Sequence, residues 1–115
     1  MADGSLAKLR KIALALPETH EELTWEDHPT FRVRKKIFVI AAADGLSISM
    51  KADPDERPAL LENAERFYLP PYVGSKGWIG MHLGKGVDWS EVAELVTTSY
   101  CMIAPKTLGR SVAAS

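Results

Sequence analysis

Residues 31–51 read FRVRKKIFVIAAADGLSISMK and predict three consecutive β-strands. Apolar and polar side chains alternate over residues 31–34 and again over residues 46–51, and residues 37–43 between them form an apolar, β-rich run. We expect a two-residue turn at Lys35-Lys36 and a second turn around Asp44-Gly45. The segment therefore predicts an antiparallel meander.

The register of this meander can be tested on its large apolar side chains. The turn at Lys35-Lys36 pairs Phe31 with Ile40, and a three-residue loop over residues 43–45 then pairs Ile40 with Ile48. With that loop, the large apolar residues of all three strands share one face. They are Phe31, Val33, Phe38, Ile40, Ile48 and Met50. We expect Gly45 to adopt a positive φ in a bulge within the loop.

The flanking sequence predicts helices and further strands. Helices are expected over residues 5–16 with Ser5 as N-cap, from Asp53 onward, after the capping box that begins at Asp88, and over residues 106–112. Short strands are expected around residues 22–25, 67–69 and 78–83, with a turn at residues 27–29. This order predicts an α+β fold over residues 1–115 as one domain, with a single antiparallel sheet of about six strands and helices packed on one face.

Composition excludes several classes of protein. Fourteen Lys and Arg against fifteen Asp and Glu give a net charge of -1, which excludes a strongly basic nucleic-acid clamp. The one cysteine, Cys101, rules out an intrachain disulfide and suits a reducing compartment. Since no apolar run approaches the ~18 residues of a membrane helix, we expect a cytoplasmic protein without membrane association.

The expected register leaves a second sheet face without helices, and this open face carries cationic and aromatic groups. Its predicted members are Arg32, Arg34, Ile37, Val39, Ala41, Ser47, Ser49, Lys51, Trp78, Gly80 and His82. Arginine binds phosphate in a bidentate manner, and Trp78 could stack on a base. The alternatives are a solvated face and a face covered by the C-terminal segment or by a second subunit.

Catalytic and metal-binding motifs are not indicated. His20, His28 and His82 match no metal-ligand spacing, and Cys101 at a helix end is expected to be a buried structural thiol. Glu26 and Asp27 are adjacent carboxylates in a turn with nothing to desolvate one of them selectively. We therefore expect no metal, no cofactor and no enzymatic activity.

Several motifs in order along nearly the whole chain resemble the MmcQ/YjbR family. They are Leu16-Pro17, Trp25 with residues 28–33, residues 36–38, residues 70–74, residues 77–80, Asp88-Trp89, Ser99-Tyr100 and residues 104–106. The resemblance implies a frataxin-like (CyaY-like) fold and a DNA-binding role through two hairpin wings. The first wing corresponds to residues 34–36, and the second to residues 74–77 or 84–86. Asp27 and Lys35 stand where glycine is common in the family; the first weakens the DNA interpretation and the second adds a cation.

Three hypotheses follow for the function. The first is weak, phosphate-directed and non-specific DNA binding, with a log–log salt slope of about -5 for six contacts. Its residues are Arg32, Arg34, Lys35, Lys36, Lys76 and Lys85, with Trp78 for stacking. The second is a protein-interaction or homodimerisation module that uses Ile37, Val39 and Trp78 on the open face. The third is a small-ligand site, for which a pocket with His28, Glu26 and Tyr72 would be the sign; the sequence alone does not support that geometry.

Overall fold

A computed structural model describes residues 4–71, 73–84 and 86–113 of the chain. The order of helices and strands predicted from the sequence is confirmed. The elements are α1 (Ser5–Leu14), β1 (Thr19–Thr24), β2 (His28–Val33), β3 (Lys36–Ala41), β4 (Ser47–Lys51), α2 (Arg57–Leu61), β5 (Phe67–Tyr68), β6 (Trp78–His82), α3 (Trp89–Ile103) and α4 (Lys106–Ala113), with a 3₁₀ turn at Gly74–Lys76 before β6.

The described strands form one antiparallel sheet in the order β1-β2-β3-β4-β6-β5. Helices α1 and α3 pack on one face, and α4 packs against α3. The core between sheet and helices is built from aliphatic and aromatic side chains, among them Leu9, Phe31, Phe38, Ile48, Met50, Ile79, Met81 and Tyr100. Phe38 and Tyr100 meet edge to face at 5.5 Å, a favoured aromatic geometry.

The ends of the helices follow local side-chain chemistry. The predicted cap at Asp88 is confirmed: its carboxylate accepts hydrogen bonds from the backbone amides of Ser90 and Glu91. The predicted N-cap Ser5 is wrong, because Gly4 precedes α1 and the Ser5 hydroxyl instead donates to the Leu83 carbonyl. Helix α2 is short and begins at Arg57 after the N-cap Glu56, three residues beyond the predicted cap Asp53, so Pro58 lies in its first turn, where a missing amide costs nothing.

The predicted register of the meander is wrong, and the cause is a β-bulge inside β3. The turn lies at Arg34-Lys35, so that Val33 pairs with Lys36, and the ladder then skips Phe38 to pair Phe31 with Val39. The bulge directs both Phe38 and Val39 into the core, where each is completely buried. The bulge therefore shifts the alternation of inward-facing and outward-facing residues by one position within β3.

The loop between β3 and β4 is consequently not the three-residue loop predicted. Ala41 pairs with Ile48, and the backbone of Ala42 still bonds to Ser47. Gly45 does adopt the predicted positive φ of 73°. The predicted turn at residues 27–29 is also displaced, because His28 already belongs to β2.

These shifts change the membership of the open face. Val39 and Ala41 were predicted there, yet both are completely buried on the helix-covered side. Ile40 moves the opposite way, since it pairs with Thr30 and Ser49 on the open face. Arg34 lies in the β2–β3 turn at a φ of 46° rather than on a strand. The remaining predicted members keep their register positions on the open face: Arg32, Ile37, Ser47, Ser49, Lys51, Trp78, Gly80 and His82.

Candidate functional site

The Arg34 guanidinium is held by a carboxylate at the start of β1. Its Nε and Nη2 donate to the two carboxylate oxygens of Glu18 at 2.8 and 3.0 Å. This bidentate contact lowers the pKa of Glu18 and raises the pKa of Arg34, because each partner stabilises the charged form of the other. Arg34 is therefore paired within the chain, and 55% of its side chain remains exposed at the surface.

Arg32 lies on the open face within a polar network of β1 and β2. Its Nη2 donates to Thr24 Oγ1 at 2.9 Å, and its Nε lies 3.6 Å from the Glu22 carboxylate. Glu22 also accepts a hydrogen bond from His20 at 2.6 Å, which is the main reason that its pKa is lowered. Only 20% of the Arg32 side chain is exposed, so most of its surface is shielded from an incoming ligand.

The predicted lysines lie around one end of the sheet. Lys35 and Lys36 flank the start of β3, and Lys76 lies two residues before β6; all three are exposed. Within the described part of the chain, none of the three side chains has an ion-pair partner. Trp78 is half-buried and pairs with Lys51 at the same end. Lys85 lies outside the described residues, and its neighbours Gly84 and Gly86 follow the opposite end of β6.

At the other end of the open face, the structure forms a cleft of about 510 Å³. Its floor includes Ile40 of β3 with Ser47 and Ser49 of β4. The bulge in β3 is what turns Ile40 toward this side, so the register error in the sequence analysis also concealed the cleft. A volume of this size falls in the range of small-molecule sites, which are about 300–1,000 Å³.

One wall of the cleft is the turn between β1 and β2. Trp25 and His28 line it, with their rings edge to face at 6.2 Å. Trp25 is 62% exposed and has a φ of 51°, and Glu26 follows at 74°. Left-handed backbone costs about 1–2 kcal/mol per residue for L-amino acids other than glycine, so the fold carries strain to present an exposed tryptophan here.

The opposite wall consists of Tyr68 from β5 with Pro70, Pro71 and Val73. The Tyr68 ring fills the space above Gly80, since a Cβ built on that glycine would lie 2.3 Å from ring atoms Cε2 and Cζ. Tyr68 also contacts the His82 ring at 4.8 Å. A glycine in the middle of a strand signals such a close approach, and this was the sequence feature that could have indicated the wall.

The segment that follows Pro71 is fixed by an arginine from α2. Arg57 Nη2 donates to the Gly74 carbonyl at 2.6 Å, and its Nε donates to the Trp78 carbonyl at 3.2 Å. Arginine is suited to this double role because its donors are arranged in a rigid fork. No sequence pattern points to Arg57, because a contact between α2 and a distant loop leaves no local signal.

The structure also describes the surroundings of Cys101, of the histidines and of the pocket considered in the third hypothesis. The Cys101 thiol donates to the Gly109 carbonyl at 3.6 Å, and burial raises its pKa, so the thiolate needed for nucleophilic attack is disfavoured. Among the described residues, no group of three or more His, Cys, Asp or Glu side chains is arranged to hold a metal ion. His28 does line the cleft, Glu26 is not among its described lining residues, and Tyr72 lies outside the described residues.

The architecture therefore defines a small α+β domain with a helix-covered core and a cleft on the open face of its sheet.

The family model named YjbR matches residues 14–102, more than half of the chain, and the protein belongs to this family. The chain is also similar in structure to the Deinococcus radiodurans protein DR2400, whose crystal structure is described as containing a DUF419 domain. The TM-score is 0.76 at 21% identity, with 84% of this chain and 76% of that chain covered, which shows a shared fold. No curated protein matches the sequence. The described part of the chain contains no helix able to span a membrane.

Proposed function

We propose that this domain is a non-catalytic binding module whose open-face cleft receives a small ligand. The observation that carries this proposal is the cleft itself, which joins the strained Trp25 turn to Tyr68 across a floor formed by Ile40. The uncovered face of an antiparallel sheet is ordinarily polar. Here it carries an apolar concavity with ring side chains at its walls, which is the usual composition of a ligand site.

Solvent mapping by NMR tests the proposal. Amide shifts of the ¹⁵N-labelled chain would be followed during titration with benzene, cyclohexanol and isopropanol. We expect the largest shifts at Ile40, Ser49 and Tyr68, and Ser49→Phe should abolish them by filling the floor. Lys51→Phe is the matched control, because it places the same ring on the same face of β4 outside the lining. Shifts scattered over the surface would refute a ligand site in this cleft.

DNA binding is the second candidate function, and the three exposed lysines at one end of the sheet favour it. Strands β3 and β6 are two strand positions apart, about 10 Å, so Lys36 and Lys76 can reach neighbouring phosphates. Arg32 and Arg34 are engaged with Glu22 and Glu18, and Lys85 lies outside the described residues, so this candidate function is argued from Lys35, Lys36 and Lys76.

A duplex titration tests this second candidate. Three phosphate contacts predict a log–log salt slope of about -3 rather than -5. Replacing Lys35, Lys36 and Lys76 by alanine should remove the binding. The control is a variant in which Lys11, Lys106 and Arg110 are replaced by alanine, because it loses the same number of positive charges elsewhere. Binding that survives the first triple substitution would exclude this interface.

The predicted homodimer through the open face stays a prediction, now without Val39, which belongs to the core. Ile37 and Trp78 keep positions on the face and are half-buried. Sedimentation at increasing concentration, with Trp78→Ala as the perturbing variant, distinguishes a dimer from a monomer. The cytoplasmic location likewise remains an expectation.

A further inference from the structure

We infer that the cleft takes an uncharged, flat heteroaromatic ring of about purine size, bound by its faces to ring side chains and by its edges to serine hydroxyls. This inference rests on the proposed binding function and names the class of ligand. It depends on three properties of the lining: the absence of formal charge, the rings on both walls, and the spacing of the hydroxyls on the floor.

The lining selects against a charged ligand. Among the described residues of the cleft, none carries a carboxylate, an ammonium or a guanidinium group. The lining contains one imidazole, that of His28, and its Nδ1 lies 2.9 Å from an Asp27 carboxylate oxygen, outside hydrogen-bonding geometry. A charged ligand would give up hydration here without gaining a counter-ion, which is strongly unfavourable.

The walls favour a flat ring. Trp25 and His28 form one wall and Tyr68 the other, so aromatic surface lies on both sides of the floor. Gly80 contributes to this arrangement, because the absence of its side chain allows Tyr68 to settle against β6. Stacking of a heteroaromatic base on such rings is worth about 1–3 kcal/mol per base, a gain that a saturated ring cannot match.

The floor provides hydrogen bonds at a fixed spacing. Ser47 and Ser49 alternate on β4, which places their Cα atoms about 6.7 Å apart on the same face. The Ser47 and Ser49 hydroxyls form no hydrogen bond with another described residue, and each can donate or accept. Heteroaromatic bicycles carry alternating donors and acceptors along their edges, so two hydroxyls at this spacing match their pattern of polar groups.

The test uses four probes of similar size on the full chain, followed by NMR shifts at Ile40 and Tyr68. Adenine is flat, neutral and polar at its edges; indole is flat with one donor; cyclohexanol is not flat; benzoate is flat but charged. We expect adenine to bind most tightly, and cyclohexanol and benzoate at least about tenfold more weakly. Equal or tighter binding of cyclohexanol or benzoate would overturn the inferred ligand class.

Two sets of variants separate the hydrogen bonds at the edge of the ligand from the stacking on its face. Ser47→Ala with Ser49→Ala should weaken adenine about tenfold and leave indole within about twofold. Trp25→Ala should weaken both ligands about tenfold. Leu23→Ala is the matched control, because Leu23 is 68% exposed on the same hairpin but does not line the cleft. An unchanged adenine affinity in the serine variant would overturn the edge assignment.

A final comparison distinguishes failure of this inference from failure of the proposed function. If the organic solvents cluster in the cleft and adenine does not bind, the ligand class is wrong and the binding site stands. If neither the solvents nor adenine shift the cleft resonances, both are wrong. A short single strand of deoxyadenosines is then titrated to identify the source of the ring. If the strand binds more tightly than free adenine, and this gain in affinity is lost when Lys35 and Lys36 are replaced by alanine, the ring belongs to a nucleic-acid strand.

Discussion

Substitution of Gly80 by alanine tests whether Tyr68 forms the cleft wall through close contact with β6. The added Cβ would lie 2.3 Å from the Tyr68 ring, well inside the distance of any real contact. Because Tyr68 belongs to the edge strand β5, the ring is expected to swing outward rather than force the strands apart. That movement ends its contact with His82 at 4.8 Å.

The expected change in the free energy of unfolding of Gly80→Ala is the sum of two opposing effects. Loss of the ring contact costs about 0.5–1.5 kcal/mol, and loss of the ring's buried surface adds a similar amount. Alanine returns about 0.5–1 kcal/mol relative to glycine in a strand, because the unfolded chain loses freedom. We therefore expect Gly80→Ala to lower the free energy of unfolding by about 1 kcal/mol, measured by urea denaturation.

A double-mutant cycle gives the decisive comparison. In a Tyr68→Ala background, the space above Gly80 is empty, so Gly80→Ala should be neutral or stabilising by about 0.5 kcal/mol. The two substitutions should thus be coupled by more than about 1 kcal/mol. Additive effects, or unchanged NMR shifts around the cleft in Gly80→Ala, would refute the close contact and with it this wall of the site.

Three further predictions concern the fold that supports the site. Lys35→Gly should raise the free energy of unfolding by about 1 kcal/mol, because glycine relieves a φ of 78°. Ser99→Ala should lower it by about 2 kcal/mol, because the buried hydroxyl donates to the Phe38 carbonyl of the bulge at 2.7 Å and its loss leaves that acceptor unsatisfied. Arg34→Ala should raise the pKa of Glu18, measured by NMR titration, toward the ordinary glutamate value of about 4.3. Since the pKa of Glu18 is lower in the folded than in the unfolded state, its contribution to stability is present at neutral pH and is lost as the pH falls through the folded-state pKa.

Each of these predictions has its own control or opposing outcome. Thr98→Ala, next to Ser99 but bonded only to the Glu94 carbonyl of its own helix, should change stability by less than about 0.5 kcal/mol. A destabilised Lys35→Gly would show that the turn is not strained as described. An unchanged titration of Glu18 in the absence of Arg34 would mean that the ion pair is not formed in solution.

The parts of the fold that sequence reasoning predicts correctly depend on local chemistry. The Asp88 cap and the positive φ of Gly45 are each encoded within a few residues. The register of β3 is different, because residues 37–40 are apolar at every position and alternation gives no indication of which one faces outward. The bulge at Phe38 is stabilised by Ser99, a residue 61 positions away, and that contact leaves no trace in the strand's own sequence.

The candidate site likewise combines features that the local sequence encodes with contacts that it does not reveal. Arg32 lies on the open face as predicted, and the acidic stretch over residues 18–27 offers it carboxylate partners, but the sequence does not determine that Glu22 on the neighbouring strand is the one beside it. The cleft combines four separate stretches of the chain, and of its lining residues only His28 belongs to the pocket named in the third hypothesis. Gly80 was the one local signal that a ring approaches the strand.

The two hydrogen bonds from Arg57 have a consequence for how this domain would respond to change. They anchor the segment that follows Val73 to a helix that takes no part in lining the cleft, so a shift of α2 would be transmitted to this side of the opening. Helix α2 has five residues and none of them is fully buried, which makes it one of the less restrained parts of the fold. At the proposed site, substitutions on the outer surface of α2 are therefore expected to change the affinity for a ligand without contacting it.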